Sequence, residues 1–449
     1  MPSPLQPFLH HARAAAAAGA LAVRAAIRSR VVAALLVLLA AVTLGLPRLI
    51  AGDGTPASDL QIRLRYTLGA AVAVLGLATL WAGCAAFGAE IDSRRFELTA
   101  VKPARRVTLW AGRWLGLVLL DAVLLAAVAA GACLQLRNVP AGLLLSRDVA
   151  APELPAPEEE ARRRYEELRR TGGLPADESA PAALRRLAQE TRNQGVAIPP
   201  GSRVGWTFHL DRPLAAGGEL WLRMRLDTVA ETLADVRGVC RVQRADGGSG
   251  TAEAPVNDLA RNLIEQRLAA PALAGARRVR VEFDYQAPPQ APALLVQPYR
   301  AVALLAPHGA FAGNLARALL AHLALLAALC ALGLTLGACF SFPVAAFAAT
   351  ALLAVMLASA DAPEPGEAAL PDATGWRRHA ERVSLVLVRG VNAALRPLLG
   401  PSPLANVAAG ERVPAEALRR EILWGAGVCP LTLSLAAAAA LRRRELARP

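Results

Sequence analysis

The stretch EIDSRRFELTAVKPARRVTLWAGRWLG, Glu90 to Gly116, decides how this chain is read. It is a charged segment about as long as a helix-turn-helix, standing between two apolar runs too long for the core of a soluble protein. A turn this charged between two such runs belongs at a membrane face, where a membrane protein meets a soluble partner.

Composition points the same way. Hydrophobic residues make up 55% of the 449 residues and charged residues 19%, with a mean hydropathy of +0.36, more apolar material than a soluble globule of this length carries. The apolar residues are also clustered. Candidate spans are Val31 to Leu49, Thr67 to Ala89, Leu109 to Leu134, Leu315 to Phe340, Pro343 to Ala360 and Ile422 to Leu441. Each is near the roughly 20 residues that cross about 30 Å of hydrocarbon as helix. The expected fold class is an α-helical polytopic membrane protein of about six transmembrane helices, with an inserted extracytoplasmic α+β domain containing a small antiparallel β-sandwich.

Orientation follows from the arginines. Arg13, Arg24, Arg28 and Arg30 precede the first span, Arg94, Arg95, Lys102, Arg105 and Arg106 lie in the Glu90 segment, and Arg442, Arg443 and Arg444 close the chain. All three groups face the cytoplasm if the number of spans is even. The domain plan is then a cytoplasmic segment 1–30, three spans over 31–136 with a cytoplasmic loop 90–107, an extracytoplasmic domain 137–308, and three spans over 309–449 with an outer loop 361–421 and a basic tail. Arg419 and Arg420, beside the outer end of the last span, run against the rule. The amphipathic run Ala20 to Arg30 reads either as an interfacial helix or as a basic flank that fixes topology. No cleavable signal peptide is evident, because residues 1–30 precede the first span and its apolar core has the length of an anchor. The expected location is the inner, cytoplasmic membrane.

The net charge of +13 and pI near 10.6 do not indicate nucleic acid, since the basic excess sits at the three cytoplasmic ends. Cys84, Cys133, Cys330, Cys339 and Cys429 fall in or beside spans, and Cys240 alone lies well inside the inserted domain, so that domain has no internal disulfide. No CxxC, HExxH or His-rich spacing supports a metal site.

The inserted domain has two parts. From Glu158 to Gln194 it is charged and helix-favouring, with Tyr165, Leu168, Leu184 and Leu187 as sparse apolar points and GGLPADESAP as a breaker. This is a solvated helical hairpin or a partly ordered linker, spanning 157–194. Over 203–300 the period becomes two: GWTFHLD, GELWLRMRLD, GVCRVQR and RRVRVEFDY, with Leu220, Leu222, Met224 and Leu226 on one face and Val279, Val281, Phe283 and Tyr285 on another. Such strands have one wet and one apolar side, as in a sandwich. Trp206 and Trp221 are either core or an aromatic binding platform, core being the commoner use. His209 reads as a strand-surface residue.

Enzyme chemistry finds no foothold. GCAAFGAE, Gly83 to Glu90, has GxxxxG without the following Lys and Ser/Thr, and it lies in an apolar run. There is no GxSxG and no recognisable carboxylate pair. No catalytic residue is expected, no cofactor bound by this chain, and any ATP hydrolysis falls to another chain. Two ionisable residues fall inside spans, Asp121 and His322. They mark a substrate or proton path, or an interhelical hydrogen bond, even one between these two.

The Glu90 segment, with Phe96-Glu97-Leu98, Val101-Lys102-Pro103-Ala104-Arg105-Arg106 and then Leu109-Trp110-Ala111-Gly112-Arg113-Trp114-Leu115-Gly116, resembles the permease subunits of type-2 ATP-binding-cassette transporters. Arg113 stands where that family usually has lysine, and Arg95-Phe96 where it has a small pair before the glutamate. LRRREL near the end, PSPLANVAAGERVP before the last span and SFPVA at Ser341 to Ala345 are similar to other parts of those permeases. The departure is the long insertion between the third and fourth spans. The resemblance implies an exporter subunit that pairs with a second permease copy and with cytoplasmic ATPases that bind ATP and Mg. It makes Glu90, Asp92, Arg94, Arg95, Glu97, Lys102, Pro103, Arg105 and Arg106 an ATPase-coupling element, with charge-assisted contacts and Pro103 turning the chain back. Gly112 and Gly116 would let the third span approach a neighbour. Residues Arg382 to Leu399 would form an interfacial or re-entrant helix. The other readings are a proton-coupled carrier using Asp121, and a membrane-anchored extracytoplasmic binding or sensing protein.

Overall fold

The computed structural model describes residues 6–28, 30–49, 56–92, 105–137, 139, 145–175, 178–228, 234–247, 250–269, 271–360 and 402–446. Two compact units result, a helical bundle and a β domain that begins at Leu145 and runs to Gly309.

The bundle contains α1 (Gln6–Arg28), α2 (Val31–Leu49), α3 (Pro56–Asp92) and α4 (Arg106–Leu136) before the β domain. The hairpin helices α5 (Pro157–Thr171) and α6 (Ala180–Asn193) belong to the β domain. After it come α7 (Phe311–Cys339), α8 (Phe342–Ala360), the short α9 (Pro403–Ala408), and α10, which runs from Ala415 to Leu446 through a π-turn at Leu423–Val428. Among the described residues five helices are long and apolar enough to cross a membrane: Val31–Leu49, Leu60–Gly88, Arg106–Leu136, Phe311–Cys339 and Ala415–Arg442. The expected span at Pro343 to Ala360 is helical, but its described apolar part, Phe342–Val355, is shorter than these. α3 starts at Pro56, well before the expected Thr67, because its first turns are polar and hydropathy gives no sign of them. The expected helix at Arg382 to Leu399 lies outside the described residues.

Helix contacts in the bundle are made by small residues. A side-chain carbon on Gly112 would fall inside the van der Waals shell of the Ala15 carbonyl oxygen, and one on Gly116 would lie 2.6 Å from the carbonyl oxygen of Gly19. The spacing of Gly112 and Gly116 therefore meets a neighbour, and that neighbour is α1. Residues Ala20 to Arg28 of the amphipathic run are thus the last part of a longer helix that packs on α4 through Ala15 and Gly19, a role the amphipathic reading did not include, and Arg30 lies outside that helix at φ 61. α3 and α7 cross equally closely: a carbon on Gly83 would lie 2.9 Å from the Cys330 carbonyl oxygen, and Gly333 and Gly337 face the carbonyls of Leu80 and Cys84. In lipid there is no water to drive helices together, so close backbone packing of this kind does much of the work. Two π-turns adjust the rest. The turn at Ala41–Gly45 presents the carbonyl of Thr43, which accepts from Gln135 Nε2, and the turn in α10 sets Gly425 against Ala324 of α7.

Among the described residues the β domain has ten strands in two sheets. They are β1 (Leu145–Ala150), β2 (Val196–Ile198), β3 (Arg203–His209), β4 (Glu219–Thr228), β5 (Asp235–Arg244), β6 (Thr251–Leu259), β7 (Leu263–Ala269), β8 (Arg278–Tyr285), β9 (Leu294–Val296) and β10 (Val302–Ala310). One sheet has the order β1-β10-β4-β9-β2 with β7 also on β4, the other β3-β8-β5-β6. β9 and β10 follow each other along β4, Leu226 opposite Val296 and Met224 opposite Val302, with the helical turn Pro298–Ala301 between them. The period-two pattern holds: Leu220, Leu222, Met224, Leu226, Val279, Val281, Phe283 and Tyr285 are all fully buried in one core. Fully burying each such side chain contributes about 1.5–3 kcal/mol. Only β3, β4, β5 and β8 were read as strands; β6, β7 and β9 fall unread inside the expected β-rich part 203–300, and β1, β2 and β10 lie outside it.

The charged part is a hairpin. Pro157 starts α5, Glu158, Glu159 and Glu160 fill its first turn and Arg169 and Arg170 its last, and Gly172 ends it at φ 70, the charge order that a helix dipole favours. Ala161, Leu187 and Ala188 are buried between α5 and α6, with Tyr165 and Leu168 packed against them.

Candidate functional site

The charged segment joins α3 to α4. Glu90 and Asp92 lie in the last turns of α3, and Arg105 caps α4 in an extended conformation, exposed, with Arg106 half-buried behind it. Arg94, Arg95, Glu97, Lys102 and Pro103 lie outside the described residues. The described N-terminal end of α4 carries the charge that its dipole disfavours: Arg105 caps it and Arg106 opens it, with no acid in the first turn. Such a placement costs a few tenths of a kcal/mol at an exposed end, so helix stability does not account for these two charges.

Farther along α3 and α4, polar groups meet inside the bundle. Thr79 Oγ1 donates to Asp121 Oδ1 at 2.8 Å, and the two residues are 3% and 5% exposed. Asp121 Oδ2 is buried with no hydrogen-bond partner among the described residues. The pair lies between two apolar clusters, one holding Leu68, Leu75, Leu124 and Val128, the other Phe87, Trp110, Leu117 and Leu334. His322 is buried but bonds within its own helix, its Nδ1 2.9 Å from the Ala318 carbonyl. A direct bond between Asp121 and His322 is therefore not made: each is held by a nearer partner, Thr79 across the helices and Ala318 one turn away. Toward the charged turn, the Arg113 guanidinium lies 4.0 Å over the Phe87 ring. Trp114 stacks on Trp110 and donates from Nε1 to the Ala327 carbonyl at 2.8 Å.

Near Phe311, Asn314 holds a second polar contact. Its Nδ2 donates to the Glu411 carbonyl at 2.6 Å, and its Oδ1 accepts from the Val413 backbone N–H at 2.8 Å. This side chain pins the strap after α9, whose Leu404 and Val407 are buried with Leu64, Leu68 and Leu315. Thr79, Phe87 and Asn314 were not singled out in the sequence. A threonine or asparagine in an apolar run is a weak signal until its partner is known.

In the β domain Trp206 is core, as expected, but Trp221 points from the other face of β4, half-buried, with Arg147 5.4 Å over its ring. Beside it Glu265 accepts from Arg147 at 3.1 Å and from Arg223 at 2.6 Å, linking β1, β4 and β7. His308 and Asp148 bond at 2.6 Å, while His209 is exposed on β3. The wet face of the other sheet pairs its charges, Arg203 with Asp284, Arg280 with Glu282, Arg241 with Glu253 and Arg278 with Glu153. Arg244 and the Arg277 backbone N–H hold the Asp246 carboxyl down at about 2, and burial pushes the Cys240 thiol up to about 12. All six cysteines are free thiols. Among the described residues no group of three or more His, Cys, Asp or Glu is placed to hold a metal ion.

Comparison with protein-family models, with curated proteins and with solved structures gave no match.

Proposed function

We propose that this chain is the permease subunit of an ATP-driven export system of the type-2 ATP-binding-cassette kind, with six spans, both ends in the cytoplasm, and the β domain outside the cytoplasmic membrane. The observation that carries the reading is the charged segment between α3 and α4. It joins two helices with the length and composition of membrane spans, and Arg105 and Arg106 at the N-terminal end of α4 oppose that helix's dipole. Such charges are stabilised when complementary groups of another chain meet them. With no phosphate-binding loop in this sequence, that other chain is a cytoplasmic ATPase holding ATP and Mg, and a second permease copy completes the assembly. Closure of the ATPase pair then shifts the spans between two packings.

The carrier reading draws less support, because Asp121 and His322 make separate hydrogen bonds and form no chain of titratable groups. The binding-protein reading leaves the charged turn without a role. Co-purification tests the proposal. The chain is expected to retain an ATPase with GxxxxGK[ST], and Arg94→Glu with Arg95→Glu to release it while the β domain stays folded. Unchanged retention in that variant would remove the coupling role from this segment.

A further inference from the structure

The helices around the charged turn fall into two closely zipped pairs. α1 meets α4 through Ala15, Gly19, Gly112 and Gly116, and α3 meets α7 through Gly83, Gly333 and Gly337, with backbone against backbone in both. Helices this close cannot slide past one another, because any shift drives carbonyl oxygens into the opposite main chain. Between the two pairs the packing is by side chains: Leu68 and Leu75 share an apolar cluster with Leu124 and Val128, and Phe87 and Leu334 share another with Trp110 and Leu117. The polar contacts across this seam are the Thr79–Asp121 hydrogen bond, the Arg113 guanidinium over Phe87, and Trp114 bonded to the Ala327 carbonyl. Each of these three is made by a side-chain tip that a rotamer change can release.

The same seam holds polar atoms whose hydrogen-bonding capacity is unused. Asp121 Oδ2 and the Nε1 of Trp110 are both buried with no hydrogen-bond partner among the described residues. A buried polar group left this way destabilises the packing that holds it. Its presence on one seam rather than at the glycine crossings marks where the bundle has another arrangement to adopt. Distance also matters. About 20 Å of helix separates Thr79 from Asp92, and about 22 Å separates Arg106 from Asp121, at a rise of 1.5 Å per residue. The Thr79–Asp121 bond thus ties the two arms of the charged turn at matching depth, one arm from each pair.

We propose that α1 with α4 and α3 with α7 are two rigid bodies, and that Asp121, through its bond to Thr79, is the positioning residue that holds them in the packing described. The partition stands on packing alone; that the charged turn drives the seam rests on the permease reading. α10 moves with α7, to which Gly425 is pressed at Ala324.

Hydrogen–deuterium exchange on the full chain in lipid nanodiscs tests this without any ATPase. Thr79→Val is expected to speed exchange about five-fold over 80–92 and 106–120 relative to the α1 crossing at 12–20, as loss of one buried bond implies. Thr79→Ser is expected to restore the original rates, and Asp121→Asn, which keeps an acceptor for Thr79, to stay near them, while Asp121→Ala follows Thr79→Val. Unchanged exchange in Thr79→Val, an equal rise in every helix, or an Asp121→Asn variant as fast as Asp121→Ala would each overturn the proposal. Unchanged ATPase retention in the charge-reversal variant, with the exchange rates as expected here, would leave the partition standing and count against the permease reading alone.

Discussion

In the β domain the wholly buried residues are large, Phe208, Phe283, Tyr285, Leu222 and Met224 among them, whereas the closest approaches in the helical bundle are made by Gly19, Gly112, Gly116, Gly83 and Gly333. The large side chains of the β domain leave water when it folds, and the gain grows with apolar area. A helix already in lipid gains nothing of that kind by meeting another. It gains dispersion contacts and hydrogen bonds, and both grow as backbones come closer. One region therefore tolerates extra volume poorly where the other tolerates missing volume poorly.

The contrast is sharpest in opposite substitutions. Phe283→Ala, at a fully buried position, is expected to destabilise the β domain by about 3–5 kcal/mol. Denaturant unfolding followed by Trp206 fluorescence measures it, and a loss below about 1 kcal/mol would break the comparison. Gly112→Leu adds volume where the Ala15 backbone leaves none and is expected to cost about 3 kcal/mol. It should lower the thermal transition of the bundle in lipid while leaving the β domain's transition in place. If both transitions fell together, the two units would not be independent in stability.

The smallest effect concerns a surface ion pair of the β domain. The folded chain holds Asp246 down at about 2, by the Arg244 guanidinium and the Arg277 N–H, so ionised Asp246 stabilises the fold. A depressed carboxyl contributes fully above its ordinary value near 3.8, and the contribution fades as pH falls toward 2. Wild type and Asp246→Asn should therefore differ by a small constant amount above pH 4 and converge below it. A gap that widens on acidification would reverse the sign.

Legibility in the sequence differed between the two regions for the same physical reason. Period two in GELWLRMRLD and RRVRVEFDY placed eight inward residues correctly, because water on one face forces alternation. β1 and β2 carry weaker patterns at sheet margins and went unread, as did β6, β7, β9 and β10. In the bundle, hydropathy located the spans. It was silent on α1, whose alanine-rich first half is neither polar nor apolar enough to show. Asp121 was visible as an anomaly, but its partner was not, since Thr79 is one unremarked threonine far away in sequence.

By itself, the sequence determined the approximate bounds of five long apolar helices, the site of the inserted β domain, and the charged break between α3 and α4. Length, hydropathy and alternation are local properties, and they fix local structure. Only the tertiary structure decided which glycines face which backbone, that Asp121 binds Thr79 rather than His322, and that Trp221 stands outside the core that holds Trp206. These are pairings between distant residues, and their energy exists only once the two surfaces meet.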